Sequence, residues 1–351
     1  VLFVLESIYA EITEKCNLAC KHCYNCSGRG KTLDMEYSSF TNMIDQMAEL
    51  GGTSLAISGG ELFLHPDINK ILYFLSEKKM MKIVLITNGT VVNDDIFDYL
   101  QSSPHISLQV SLDGATEEIN TKTRGPGSFE KVISFLNKLS HQERRDHALK
   151  MTVNRFNMEQ VIDFIELAQY YHCTPSFGLI IGLGQAKQDW ENIGVLVTDL
   201  LRTQVKIDRY AKTHNLDPKR LQLTNPFAPC PIMKKEDLTQ LTVKANGDVH
   251  VCNFLYDTYF CIGNINRQPL REIISKDNPL TAAIRQSIIA RKRLFEANLC
   301  KDCYLANTGC PKDGGCYGIL GTEDLYLPGY TCAIRKKAPV LKEIIQAYST
   351  Q

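Results

Sequence analysis

The chain has 351 residues, 44% hydrophobic and 22% charged, with 39 basic against 39 acidic side chains. That composition excludes a disordered or fibrous chain and leaves room for one large domain, or one large and one small. Zero net charge gives no electrostatic reason for nucleic acid or an anionic membrane as partner, and no apolar run approaches the ~20 residues of a membrane span.

The opening VLFVL is too short for a signal-peptide core, and it lacks an initiating Met, so the numbering is expected to start inside the natural chain. A cytoplasmic location is expected, where thiols stay reduced. The 13 cysteines are an odd number, which argues further against a pure disulfide framework. Metal is the better explanation.

In chain order, Ser7–Thr13 reads as a strand. Met35–Leu50 carries Phe40, Met43, Ile44, Met47 and Leu50 at helical spacing and is stopped by Gly51-Gly52. Thr53–Ser58 is a second strand, and Pro66–Lys79 opens a helix on its proline. Further strands are predicted at Lys82–Asn88, His105–Asp113, Leu149–Asn154 and Ser176–Gly182, with helices near Asp94–Gln101, Phe129–Ser140 and Met158–Tyr171. Six such repeats predict an α/β fold, either a doubly wound sheet or an open barrel.

In both architectures ligands bind on the loops that follow the strands. Those loops carry, in turn, the thiols Cys16, Cys20, Cys23 and Cys26, then Gly59-Gly60-Glu61, Thr87-Asn88-Gly89, Ser111–Gly114 and Val153-Asn154-Arg155. After about residue 215 the periodicity fades into turns, prolines and cysteines, with a last helical stripe near Ala338–Tyr348. The predicted division is therefore 1–215 and 216–351.

Cys16, Cys20 and Cys23 have the spacing C-x3-C-x2-C. Three thiolates on one loop can hold three irons of a cubane cluster and leave the fourth open. Zinc stays an alternative, with Cys26 as a fourth ligand.

CNLACKHCY after the first strand, SGGE after the second and SLDG after the fourth together resemble the radical S-adenosylmethionine (SAM) superfamily over roughly residues 7–182. The resemblance implies a partial (β/α)6 barrel in which Cys16, Cys20 and Cys23 hold a [4Fe–4S] cluster, with Tyr24 the usual aromatic neighbour. Gly59, Gly60 and Glu61 would meet the SAM amino group. Ser111 and Asp113 would contact its ribose or carboxylate, Asn154 the ribose, and Arg124 the carboxylate. The plainer readings are a surface arginine for Arg124 and a simple turn for Asp113-Gly114. The Gly182–Gly184 stretch would let backbone approach the adenine. Cys26 is left as an inert loop thiol, a hydrogen-atom donor or a substrate contact.

The C-terminal cysteines resemble a SPASM extension carrying two auxiliary [4Fe–4S] clusters, so the chain as a whole resembles three-cluster enzymes. The resemblance assigns Cys230, Cys252 and Cys316 to the first auxiliary cluster and Cys300, Cys303, Cys310 and Cys332 to the second. Cys261 would complete the first, or that iron would be open. The spacing departs from the usual form, with six residues between Cys303 and Cys310 and five between Cys310 and Cys316.

The implied chemistry is abstraction of a hydrogen atom by a 5′-deoxyadenosyl radical, followed by oxidation. The expected substrate is a ribosomally made peptide, modified by a thioether or carbon–carbon cross-link. Alternatives are a small-molecule dehydrogenase and a sulfatase-maturase-like, formylglycine-forming enzyme. The latter has an aspartate base after the G-x4-C cysteine, where this chain has Asn253. Asp257 stands as a substitute. Peptide-modifying relatives often carry an N-terminal recognition domain, and fifteen residues precede Cys16 here. A separate recognition protein, or direct binding in the barrel, is therefore expected. The other expected partner is an electron donor such as flavodoxin or ferredoxin.

Overall fold

A computed structural model describes residues 5–142, 146–217, 221–223, 238–253, 261–275 and 277–283, with single positions 286 and 293. Cys230, Asp257, Cys300, Cys303, Cys310, Cys316, Cys332 and the stripe at 338–348 lie outside the described residues.

The first half alternates as the sequence pattern requires. Strands β1 (Ser7–Glu11), β2 (Ser54–Ser58), β3 (Lys82–Thr87), β4 (Ile106–Ser111), β5 (Ala148–Val153) and β6 (Thr174–Leu179) are all parallel neighbours in the order β6-β5-β4-β3-β2-β1. Between them run α1 (Tyr37–Glu49), α2 (Ile68–Ser76), α3 (Asp95–Ser102), α4 (Glu117–Arg124), α5 (Ser128–Ser140) and α6 (Val161–Tyr170). Then come α7 (Gln185–Gln188), α8 (Trp190–Ile193) and α9 (Val197–Thr213). The result is a partial barrel.

Helix α1 buries Phe40, Met43, Ile44 and Met47, the i, i+3, i+4, i+7 stripe that faces a sheet. In the strands the apolar half of the alternation is buried against the helices: Leu149, Met151 and Val153 of β5 are all fully covered. The other half (Ala148, Lys150 and Thr152) is only partly covered and faces the opposite side of the sheet.

Helices α4, α7, α8 and α9 go beyond the sequence expectation. Helix α4 has no apolar stripe, because its buried positions are Asn120, Thr123 and Arg124. Helix α9 buries Leu200, Thr203, Ile207 and Ala211, a stripe narrowed by a threonine. The predicted helix at 158–171 begins as a 3-10 turn, Met158–Gln160.

The larger difference lies past residue 215. Strand β7 (Gln240–Val243) pairs in parallel with β1, from Ser7 opposite Gln240 to Ala10 opposite Val243. Strands β8 (Asp248–His250) and β9 (Cys261–Asn264) add an antiparallel end, and a short α10 (Leu270–Ile273) follows. One nine-stranded sheet thus runs from β6 to β9.

Where β7 leaves β1, Lys244 Nζ lies 3.3 Å from Glu11 Oε2 and 3.1 Å from Asn25 Oδ1. Glu11 also accepts hydrogen bonds from Tyr24 Oη (2.8 Å) and Asn25 Nδ2 (2.7 Å). The Glu11 side chain is 4% exposed and that of Lys244 16%. Removing the cation alone leaves a buried carboxylate with hydrogen-bond donors but without its counter-charge. Lys244→Met is therefore expected to cost about 3–5 kcal/mol in urea unfolding of the metal-free chain, with Glu11→Gln added to it restoring a large share. A loss below about 1 kcal/mol would show that the pair does not hold this junction.

Candidate active site

The cysteine loop, which follows β1, is irregular, and its neighbours give it shape. Gly60 N donates to Thr13 O (2.7 Å) and Glu61 N to Lys15 O (2.8 Å), so the loop after β2 is paired onto the entry to the thiols. A Cβ on Gly60 would stand 2.1 Å from Lys15 O, which explains the residue type. On the other side, Lys21 N donates to Thr123 O of α4 (2.9 Å). Gly184, at φ +56°, presses against the carbonyls of Cys23 and Tyr24, and Gln185 N donates to Cys23 O (3.0 Å). The Gly182–Gly184 stretch, expected near an adenine, makes this backbone contact with the cysteine loop.

Cys16, Cys20, Cys23 and Cys26 are all free thiols and partly exposed. Cys16 Sγ accepts from Leu18 N (3.4 Å), with Asn88 Nδ2 at 3.9 Å. Burial raises the pKa of Cys16 and pushes that of Cys20 up to about 12, against the pull of Arg124. Cys26 differs: it sits at φ 51°, unusual for a non-glycine residue, and its Sγ accepts from Gln185 Nε2 (3.4 Å).

Glu61 is 1% exposed. Its Oε1 accepts from Thr87 Oγ1 (2.8 Å) and Phe63 N (3.2 Å), and its Oε2 from Asn88 N (2.6 Å). No lysine or arginine of the described residues is in ion-pair contact with it. Burial pushes its pKa up to about 7, although those three donors and Arg124 oppose the rise.

A second buried carboxylate has its cation. Asp113 Oδ2 lies 2.7 Å from Arg124 Nε and 3.4 Å from His22 Nδ1, while Oδ1 accepts from Thr152 N (2.8 Å). The Arg124 contact is close but poorly aligned as a hydrogen bond, so it is a contact between charges. Burial works against the Arg124 charge, yet Asp113 and the thiols of Cys20 and Cys16 outweigh it and raise its pKa. Burial and Arg124 depress the pKa of His22, against the pull of Asp113.

A model of the radical SAM superfamily matches residues 10–168, and a model of the SPASM iron–sulfur cluster-binding domain matches residues 230–304. Residues 10–168 are a radical SAM domain. It is 26% identical to the mycofactocin maturase MftC of Mycobacterium ulcerans, over 87% of this chain and 85% of that one. Its fold matches Streptococcus suis SuiB bound to its precursor peptide SuiA, with a TM-score of 0.74 and 19% identity over 95% of this chain and 76% of that one. It also matches anSMEcpe with AdoMet and a Cp18Cys peptide, with a TM-score of 0.70 and 18% identity over 98% and 99%.

In a radical SAM chain the residues present fit the group. The loop offers Cys16, Cys20 and Cys23 together with N–H donors for anionic sulfur, and the Arg124 guanidinium favours the thiolate form of Cys20. Glu61 uses three of about four acceptor positions on protein donors, which leaves one on Oε2 for an ammonium group.

The other expected contacts divide. Ser111 ends β4, half-buried on this rim. Asp113 is engaged by Arg124, His22 and Thr152 as described, so its carboxylate ties β4 to β5 and α4. Asn154 is fully buried: Nδ2 donates to Thr152 O (3.0 Å) and Thr123 Oγ1 (3.4 Å), and Oδ1 accepts from Phe156 N (2.9 Å), so its burial and these bonds fix the side chain and leave one acceptor position on Oδ1. Tyr24 donates to Glu11. Cys252 lies two residues past the end of β8 and Cys261 opens β9, both in the extension and away from the thiol loop in sequence. Sequence reasoning missed Glu11, His22 and Lys244. A glutamate inside a strand was the available signal for the first.

Glu61 also gives the metal-free chain a pH signature. Because its folded pKa is raised from 4.5 to about 7, its contribution to stability is fully present below 4.5 and is lost as the pH rises through 7. The melting temperature of the metal-free chain relative to Glu61→Gln is expected to fall between about pH 5 and pH 8. Parallel profiles would place Glu61 in a less buried setting.

Proposed function

We propose that this radical SAM enzyme oxidatively modifies a ribosomally made peptide, forming a thioether or carbon–carbon cross-link. The observation that carries the reading is the near full-length correspondence with a peptide maturase, spanning both the barrel and the cysteine-rich extension. SuiB and anSMEcpe, solved proteins of the same fold, hold peptides. Asn253 after Cys252 cannot accept a proton as a carboxylate does, which disfavours formylglycine formation.

In this reading Cys16, Cys20 and Cys23 hold the cluster that binds SAM, and Glu61 with the backbone of Gly59-Gly60 holds the SAM amino group. Bound there, the cofactors supply a deoxyadenosyl radical that takes a hydrogen atom from substrate carbon. Arg124 offers a positive charge beside Cys20 and Cys16, and Asp113 fixes its position. In this reading the same guanidinium would meet the SAM carboxylate. Cys230, Cys252 and Cys316 hold the first auxiliary cluster, and Cys300, Cys303, Cys310 and Cys332 the second. These clusters suit a product radical that must lose an electron. The lumen residues Lys150, Thr152 and Ser176 are polar, and Lys150 Nζ donates to Ser176 Oγ (3.2 Å) and Phe177 O (2.7 Å), a surface suited to a peptide. Flavodoxin or ferredoxin would supply electrons, and a separate recognition protein could present the peptide.

The test is anaerobic reconstitution with iron and sulfide, followed by SAM, dithionite and any short peptide found encoded beside the gene. About twelve irons per chain, deoxyadenosine formation and a peptide lighter by about 2 Da are expected. Deoxyadenosine without any change in the peptide's mass would overturn the substrate assignment. Glu61→Ala is expected to weaken SAM binding at least about tenfold.

A further inference from the structure

The antiparallel end of the sheet carries three potential metal ligands in one place. Asp248 and His250 lie two apart on β8, and Cys261 opens β9. One donor atom from each, a carboxylate oxygen, an imidazole nitrogen and a thiol sulfur, all lie within 4.8 Å of one another.

A local irregularity brings them together. Asp248 faces Asn264 and Val249 faces Gly263, a register that would set His250 opposite Ile262. The register shifts between Val249 and His250, so His250 faces Cys261 instead. Ile262 is fully buried among apolar neighbours, whereas Cys261 is partly exposed. A bulge re-aims a side chain in this way at the cost of a ladder position. Here it places a thiol, rather than an isoleucine, beside the histidine.

The carboxylate is also held for the purpose. Asn264 Nδ2 donates to Asp248 Oδ1 (2.8 Å) and Asn246 Nδ2 to Oδ2 (2.6 Å), the outer-shell bonding that orients ligating carboxylates. Each oxygen keeps an acceptor position. Asp248 and Cys261 line a surface cleft of about 680 Å³ with Asn264 and Asn278, so water can complete a coordination sphere.

We propose that Asp248, His250 and Cys261 bind a single divalent cation of the zinc class, separate from the iron–sulfur clusters. One sulfur, one imidazole and one carboxylate suit zinc, whose ligands at about 2.0–2.3 Å stand roughly 3–4 Å apart, inside the 4.8 Å within which these three donor atoms lie. Cys261, which the SPASM resemblance would give to the first auxiliary cluster, then belongs to this site. The cation staples β8 to β9 beside Cys252. The proposal is independent of the peptide substrate.

The test is metal analysis of the reconstituted, full chain after incubation with zinc chloride and removal of loose metal by gel filtration. About one zinc per chain is expected, with X-ray absorption showing one sulfur at about 2.3 Å among nitrogen and oxygen ligands. Cys261→Ala and Asp248→Asn are each expected to lose the zinc while iron and sulfide per chain stay unchanged. The unchanged iron count also reports that the variants fold. No retained zinc, zinc retained by both variants, or iron lost with Cys261 would overturn the proposal, the last by returning Cys261 to a cluster.

Discussion

The site depends on the close approach of two backbones, Gly60 N to Thr13 O and Glu61 N to Lys15 O. No side chain fits between them at Gly60. Because the strands end side by side, the loop after β2 can hold the loop after β1, and Glu61 is carried down onto Thr87 and Asn88 at the end of β3. Asn88 in turn reaches back to Asn17 Oδ1 (3.0 Å). The thiols therefore sit on an irregular segment gripped by three consecutive strand ends, by α4 and by Gly184 beyond β6. Contacts of this kind fix the backbone that carries the thiols, as a preorganised ligand site requires.

Of the buried carboxylates that meet this loop, Asp113 and Glu61 differ in their partners, and that difference organises its electrostatics. Asp113 has its counter-charge in Arg124 and serves the framework. Glu61 has hydrogen-bond donors but no ion-pair partner among the described residues, and its pKa rises accordingly. A buried carboxylate in that state gains most from a ligand that brings its own positive charge, as an amino group does. The Arg124 guanidinium, held by Asp113, offers the complementary charge to anionic sulfur or a carboxylate.

Much of this was legible in the sequence, for reasons that differ by element. The six strands and α1 follow from alternation and from the Phe40–Met47 stripe, both local patterns. The thiol spacing and Gly59-Gly60-Glu61 were legible because close backbone approach and ligation restrict residue type. Helix α4 was not, since it buries Asn120, Thr123 and Arg124, and hydrophobic periodicity is blind to a polar core. Strand β7 was missed because its partner is β1, more than 200 residues earlier, and four residues carry little signal of their own. The sequence also names polar residues without saying where they point: Asn154 shares a rim with Glu61, yet its amide is bonded to Thr152 and Phe156 beside it and to Thr123 of α4.

The most direct test of the central claim, that the loop gripped by Gly60 and Glu61 is where cluster and SAM meet, is electron paramagnetic resonance of the reduced, reconstituted chain with and without SAM. Wild-type protein and a variant with Cys16, Cys20 and Cys23 replaced by alanine would be compared. The account predicts a reduced-cluster signal that SAM perturbs in the wild type, and in the variant a remaining signal indifferent to SAM. A SAM-sensitive signal that survives the triple replacement would contradict it.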